Sequence, residues 1–163
     1  MNRDMAAAPA AVKAVAEEHR EFVSITVANQ LFGIPVLQVQ DVLSPQRITR
    51  IPLAPPEVAG SLNLRGRIVT AIDLRTRLRL PPQPKGQSGM SVVVDHGGEL
   101  YSVMVDSVGE VLSLPAEMAE RNPATLDPIW RDVSEGIYRL DKTLLIVLDV
   151  ARVLDFSTRP EAA

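Results

Sequence analysis

The sequence predicts a mainly β fold: two small barrels of related sequence, a few short helices, and a groove between the barrels. Three observations predict it. Valine and isoleucine number 20 and 9 against 18 leucines, and β-branched side chains favour strands over helices. Thirteen prolines in 163 residues exceed the usual ~5%, so the strands must be short. The chain also repeats itself. Residues 21–43 align without a gap over 90–112, where Val23/Val92, Leu31/Leu100, Val36/Val105, Val39/Val108, Val42/Val111 and Leu43/Leu112 are identical. Residues 60–78 align over 136–154, where Gly60/Gly136, Leu64/Leu140, Asp73/Asp149 and Leu78/Leu154 coincide. Two matching windows in the same order indicate an internal duplication. A half of about 60–65 residues closes most readily as a small barrel, which removes exposed strand edges.

Taken in order, residues 1–20 read as an Ala/Glu-rich tail. Phe22–Val27 alternates, with Phe22, Ser24 and Thr26 against Val23, Ile25 and Val27. A turn at Asn29-Gln30 and a second strand over Leu31–Val36 complete a hairpin. Pro55-Pro56-Glu57 is expected to open a short helix, with proline in the first turn and an acid at the positive helix end. Val58 and Leu62 then share a face four residues apart, and Gly66 ends the helix. Ile68–Ile72 is a strand, and Asp73 caps a short helix carrying Leu74 and Leu78. The run Pro81 to Gly89 is a linker rich in proline and glycine. These signals place a first barrel at 21–80, a linker at 81–89, a second barrel with a C-terminal helix at 90–156, and a tail at 157–163.

The composition excludes several chemistries. With no cysteine there is no disulfide framework, thiolate zinc site, cysteine nucleophile or iron–sulfur cluster. Two distant histidines, His19 and His96, do not suffice for a His-rich metal site. Neither a Walker loop nor a dinucleotide glycine fingerprint occurs, and no serine sits in a nucleophile elbow. Val92-Val93-Val94-Asp95 ends like a catalytic strand, but His96-Gly97-Gly98-Glu99 makes it a hairpin. The expectation is therefore no enzyme, no metal and no cofactor. Phe22–Gln40 is uncharged over nineteen residues, yet its many polar groups are too costly in lipid. It reads as two strands, without membrane insertion. The weak apolar character near the N-terminus gives no export signal, so the cytoplasm is the expected compartment.

Charge is unevenly spread. Residues 47–79 carry seven arginines against Glu57 and Asp73, whereas 95–155 carry twelve acids against five bases. One reading is binding of nucleic acid or an acidic ligand by the arginine-rich half. An isoelectric point near 5.4, few aromatics and no evident recognition helix weigh against it. The favoured reading is charge complementarity with protein partners. Within the repeat, Asn63-Leu64-Arg65-Gly66 stands over Arg139-Leu140-Asp141-Lys142. The two copies keep leucine and differ in charge, which singles out Arg65.

The run Gly60-Ser-Leu-Asn63-Leu-Arg65-Gly66-Arg-Ile68-Val-Thr-Ala-Ile-Asp73-Leu-Arg75 resembles the signature of the CheW family, the adaptors of bacterial chemotaxis arrays. Phe32-Gly33-Ile34, Val39-Gln-Asp41-Val42, Asp106-x-Val108-x-Glu110-Val111-Leu112 and the closing Gly136…Leu148-Asp149-Val150…Val153-Leu154 support it, over about residues 21–156. Thr70 departs from the family's proline, and Asp41 from its commoner glutamate. The resemblance implies two five-stranded SH3-like barrels and no catalysis. It implies a scaffold that binds the cytoplasmic hairpin tips of methyl-accepting chemoreceptors and the regulatory SH3-like domain of the chemotaxis histidine kinase, coupling receptor state to autophosphorylation, with other copies in rings as a further candidate partner. By position, Val39, Val42, Arg65, Val108 and Val111 would line a receptor-binding groove, as in helix-in-groove recognition. Asp41, Ile48, Gly60 and Arg65 would lie at the kinase contact, with Arg65 paired to Asp41.

Overall fold

The computed structural model describes residues 18–87 and 89–155. The tail expected at 157–163 and most of the one expected at 1–20 lie outside them. Ten strands run in chain order: β1 (His19–Val27), β2 (Gln30–Pro35), β3 (Val39–Leu43), β4 (Val58–Leu64), β5 (Arg67–Asp73), β6 (Met90–His96), β7 (Glu99–Val105), β8 (Ser107–Pro115), β9 (Ser134–Arg139) and β10 (Leu144–Leu148). Three short helices accompany them, α1 (Leu74–Arg77), α2 (Pro128–Asp132) and α3 (Val150–Val153).

The strands form two five-stranded sheets. Sheet A has the order β8-β1-β2-β10-β9, and sheet B the order β3-β6-β7-β5-β4. Strands β1 to β5 correspond to β6 to β10, and the two orders become identical under that exchange. The duplication is thus real, but the halves are interlocked. The expected split, 21–80 in one barrel and 90–156 in the other, is not how the strands are shared. Each sheet takes a hairpin from one half and three strands from the other. The physical reason lies in the crossings Val36–Gln38 and Asp106. After its first hairpin the chain leaves one sheet at each of these points and adds the next strand to the edge of the other.

Period-two alternation fills three apolar layers. Val23, Ile25, Val27, Phe32 and Ile34 of sheet A meet Val92, Val94, Val103 and Val105 of sheet B in one shared core. The residues between them face the barrel interiors: Val93, Leu62, Val69 and Ala71 in barrel B, and Phe22, Tyr138, Leu145 and Val147 in barrel A. Strands buried on both faces read as continuous apolar runs, which explains Val92-Val93-Val94. Both sheets curl shut. Leu43 and Ile48 pack against the interior cluster of barrel B, and Leu112, Leu114 and Leu140 against that of barrel A.

The helix expected after Pro55 is instead strand β4. Val58 N–H donates to the Pro55 carbonyl at 2.9 Å, so the Pro-Pro-Glu segment does turn, but only once. The open edge of sheet B takes the segment, and a register shift between Val58 and Gly60 sets Val58 opposite Ile72 and Leu62 opposite Val69, so the two side chains share no face. Gly66 accordingly ends no helix. With Arg65 it forms the two-residue β4–β5 turn, at φ 52° and 85°, with Leu64 facing Arg67 across it. The first hairpin turns at Ala28-Asn29, with φ 51° and 68°, one residue earlier than expected. Asp73 caps α1, accepting from the Arg75 and Thr76 N–H groups, and Leu74 and Leu78 are buried, as the sequence predicts.

Candidate functional site

Strands β3 and β8 are edge strands of the two sheets, and each carries two of the candidate valines. Val39 and Val42, or Val108 and Val111, are three residues apart. In a regular strand they would point to opposite faces. Each strand avoids this with one extra residue. On β3, Val39 faces Val94 and Val42 faces Val92, with the register shift between Val39 and Asp41. On β8, Val108 faces Ile25 and Val111 faces Val23, with the shift opposite Val23/Ile25. Residues paired across a ladder share a face, and Val92, Val94, Val23 and Ile25 all face the shared core. The two bulges therefore turn all four valines toward the space between the sheets. Val39 and Val108 pack against the core rim, while Val42 and Val111 remain 38% and 53% exposed. The β8 bulge is held by Ser24, whose hydroxyl donates to the Glu110 carbonyl at 2.6 Å.

The other candidates gather on the opposite face of β3. Asp41 faces Val93, which belongs to the interior of barrel B. Arg65, at the tip of the β4–β5 turn, reaches Asp41 at 3.2 Å. The pair joins the two strands at opposite ends of the sheet B order and so bridges the closure of that barrel. Asp41 also accepts from the Val42 N–H at 2.8 Å. Gly60 is buried rather than presented to a partner, with φ 152°. A side chain there would run into the Thr49 carbonyl oxygen and the Ile48 side chain. Gly60 thus seats the segment that carries Ile48. Arg65 is brought to Asp41, so the structure groups it with this second set.

Two residues outside both candidate sets form a strong contact. Arg75 grips Asp106 with two bonds of 2.9 and 2.7 Å. The guanidinium hydrogen bonds, helped by the Ala28 N–H at 2.8 Å, hold the Asp106 carboxyl below the usual carboxylate range. The same bonds raise Arg75. Arg77 is buried and donates to the Val153 and Arg152 carbonyls; burial lowers its pKa. Arg65, Arg75 and Arg77 are thereby committed to contacts within the chain. The excess of arginine at 47–79 is not one free basic patch.

A CheW-like domain model matches residues 21–157. The chain belongs to the CheW-like domain family. The chemotaxis protein CheW of Klebsiella aerogenes is 31% identical over 135 residues, covering 83% of this chain and 81% of that protein. The CheW of Bacillus subtilis is 29% identical over 129 residues, covering 79% and 83%. Among solved structures, the scaffolding protein TtCheW of Thermoanaerobacter tengcongensis superposes with a TM-score of 0.77 at 26% identity, covering 87% of this chain and 97% of that one. As a CheW-family member the chain is a non-catalytic chemotaxis adaptor that acts by binding chemoreceptors and a kinase. Among the described residues no helix is long and apolar enough to cross a membrane.

Proposed function

We propose that this adaptor uses two faces of strand β3 for two partners. The valines Val39, Val42, Val108 and Val111 form the walls of a groove between the barrels that receives one helix of a chemoreceptor hairpin tip. The Asp41–Arg65 rim of barrel B, with Ile48 seated over Gly60, contacts the regulatory SH3-like domain of the histidine kinase. The protein then works in the cytoplasm at the inner face of the membrane, where those receptor tips lie, and further copies can extend the assembly as rings.

The observation that carries this reading is the matched pair of bulges, which turns four valines from two sequence halves toward one seam. An amphipathic helix laid in such a seam buries apolar anchors at helical spacing. Because Val42 and Val111 are exposed, a charge at either leaves the core intact. Val42→Asp and Val111→Asp should each weaken binding to a receptor-tip fragment by roughly tenfold or more, with melting temperatures close to the parent. The kinase regulatory domain should bind both variants normally. Unchanged receptor binding in both variants would remove the valines from the site.

A further inference from the structure

The two places where the chain crosses between sheets are equivalent by the duplication but differ in construction. At the second crossing, between β7 of sheet B and β8 of sheet A, Asp106 is held from both sides. Its N–H donates to the Thr26 carbonyl at 3.0 Å, and its carboxylate accepts from the Ala28 N–H at the β1–β2 turn. From sheet B, Arg75 on α1 meets it with a two-bond fork. A third Arg75 nitrogen donates to the Pro81 carbonyl at 2.7 Å, which ties in the start of the linker. At the first crossing the counterparts are Leu37 and Ala151. Leu37 is 92% exposed in a 3-10 turn that has no side-chain cap.

We propose that Arg75 and Asp106 are a positioning pair for the groove. The pair fixes the start of β8, and with it Val108 and Val111, relative to sheet B. Two charge-assisted bonds in one plane define orientation as well as distance. The opposite wall, β3, follows an unclipped turn and can shift to fit its helix. The groove therefore has one fixed wall and one adjustable wall. This rests on the receptor reading of the valines given above.

The test uses the full chain, with Arg75→Ala, the milder Arg75→Lys and Asp106→Asn. Amide hydrogen exchange at residues 107–111 should rise roughly tenfold in Arg75→Ala, and less in Arg75→Lys, while exchange at 39–43 stays at the parental rate. Binding to a receptor-tip fragment should fall roughly fivefold to tenfold in Arg75→Ala and partly recover in Arg75→Lys. Binding to the kinase regulatory domain should hold within twofold in each, by the same coupling logic. Equal loss for both partners, or equal exchange in both strands, would make the pair a general staple and overturn the proposal. So would parental exchange at 107–111 in all three variants. If the parent itself fails to bind the receptor fragment, the groove reading falls, while the exchange pattern still decides whether the clip fixes β8.

Discussion

Arg65 combines an unusual backbone with an ordinary bond. Its φ of 52° is the left-handed conformation demanded by a two-residue hairpin turn, and its side chain is 78% exposed where it meets Asp41. An exposed pair of this kind contributes roughly 0–1 kcal/mol. Arg65→Asp should therefore leave the melting temperature within a few degrees of the parent, yet reverse the rim charge and weaken capture of the kinase regulatory domain in a pull-down. Equal capture would remove Arg65 from that contact. Gly60 behaves in the opposite way. A methyl group at Gly60 has no room beneath Thr49 and no allowed conformation, so Gly60→Ala should cost roughly 1–3 kcal/mol or more in urea unfolding. Its counterpart Gly136, also at φ 152°, should respond in the same direction. Asp106 adds a pH dependence. Its folded pKa is depressed, so its contribution is complete above the ordinary carboxylate value and is lost as pH falls through the folded one. The stability gap between the parent and Asp106→Asn should be full at neutral pH and close below about pH 4. A gap that persists in acid would mean that the asparagine loses something other than charge. At this scale the sequence carries one local signal: the difference between the Arg65 and Asp141 copies singles out a side chain that the structure brings to Asp41.

At the scale of the element, hairpins and caps were legible and bulges were not. The Gly97-Gly98 turn, at φ 63° and 83°, and the aspartates Asp73 and Asp149, which cap α1 and α3, carry local chemistry that permits few conformations. The segment after Pro55 carried a proline-led helix start, and the open edge of sheet B overrode it with a strand that contains a bulge of its own. The bulges do leave a trace in the sequence. Valines three apart in two strands of a repeat can share a face only if each strand gains a residue. Ser24 is the means by which β1 holds the second bulge. Ser24→Ala removes its bond to the Glu110 carbonyl and should cost about 1 kcal/mol. Amide exchange at residues 108–111 should rise with it, whereas the β3 bulge should be unaffected. A uniform rise over both strands would show that the hydroxyl supports the core and not the bulge.

For the whole molecule, the repeat foretold two barrels of equal make, but it could not foretell their exchange of strands. Identity between halves is the same whether each half folds on itself or pairs with the other. The crossings decide that, and they are a few residues without strong turn chemistry. Interlocking has a direct test. Residues 1–88 and 89–163, produced separately, should each lack cooperative unfolding, because each lacks strands from both sheets. Mixing them should restore the β signal and a single transition. A fragment that folds alone would contradict the topology. The exchange also orders events on the ribosome. Sheet B is complete once β7 has emerged at Val105, whereas sheet A waits for β10 to end at Leu148. Until then the first hairpin made, β1–β2, remains without its parallel partner β10. Translation thus holds open the oldest part of the nascent chain the longest, and a pause in synthesis between these two points would leave a finished barrel attached to an unfinished one.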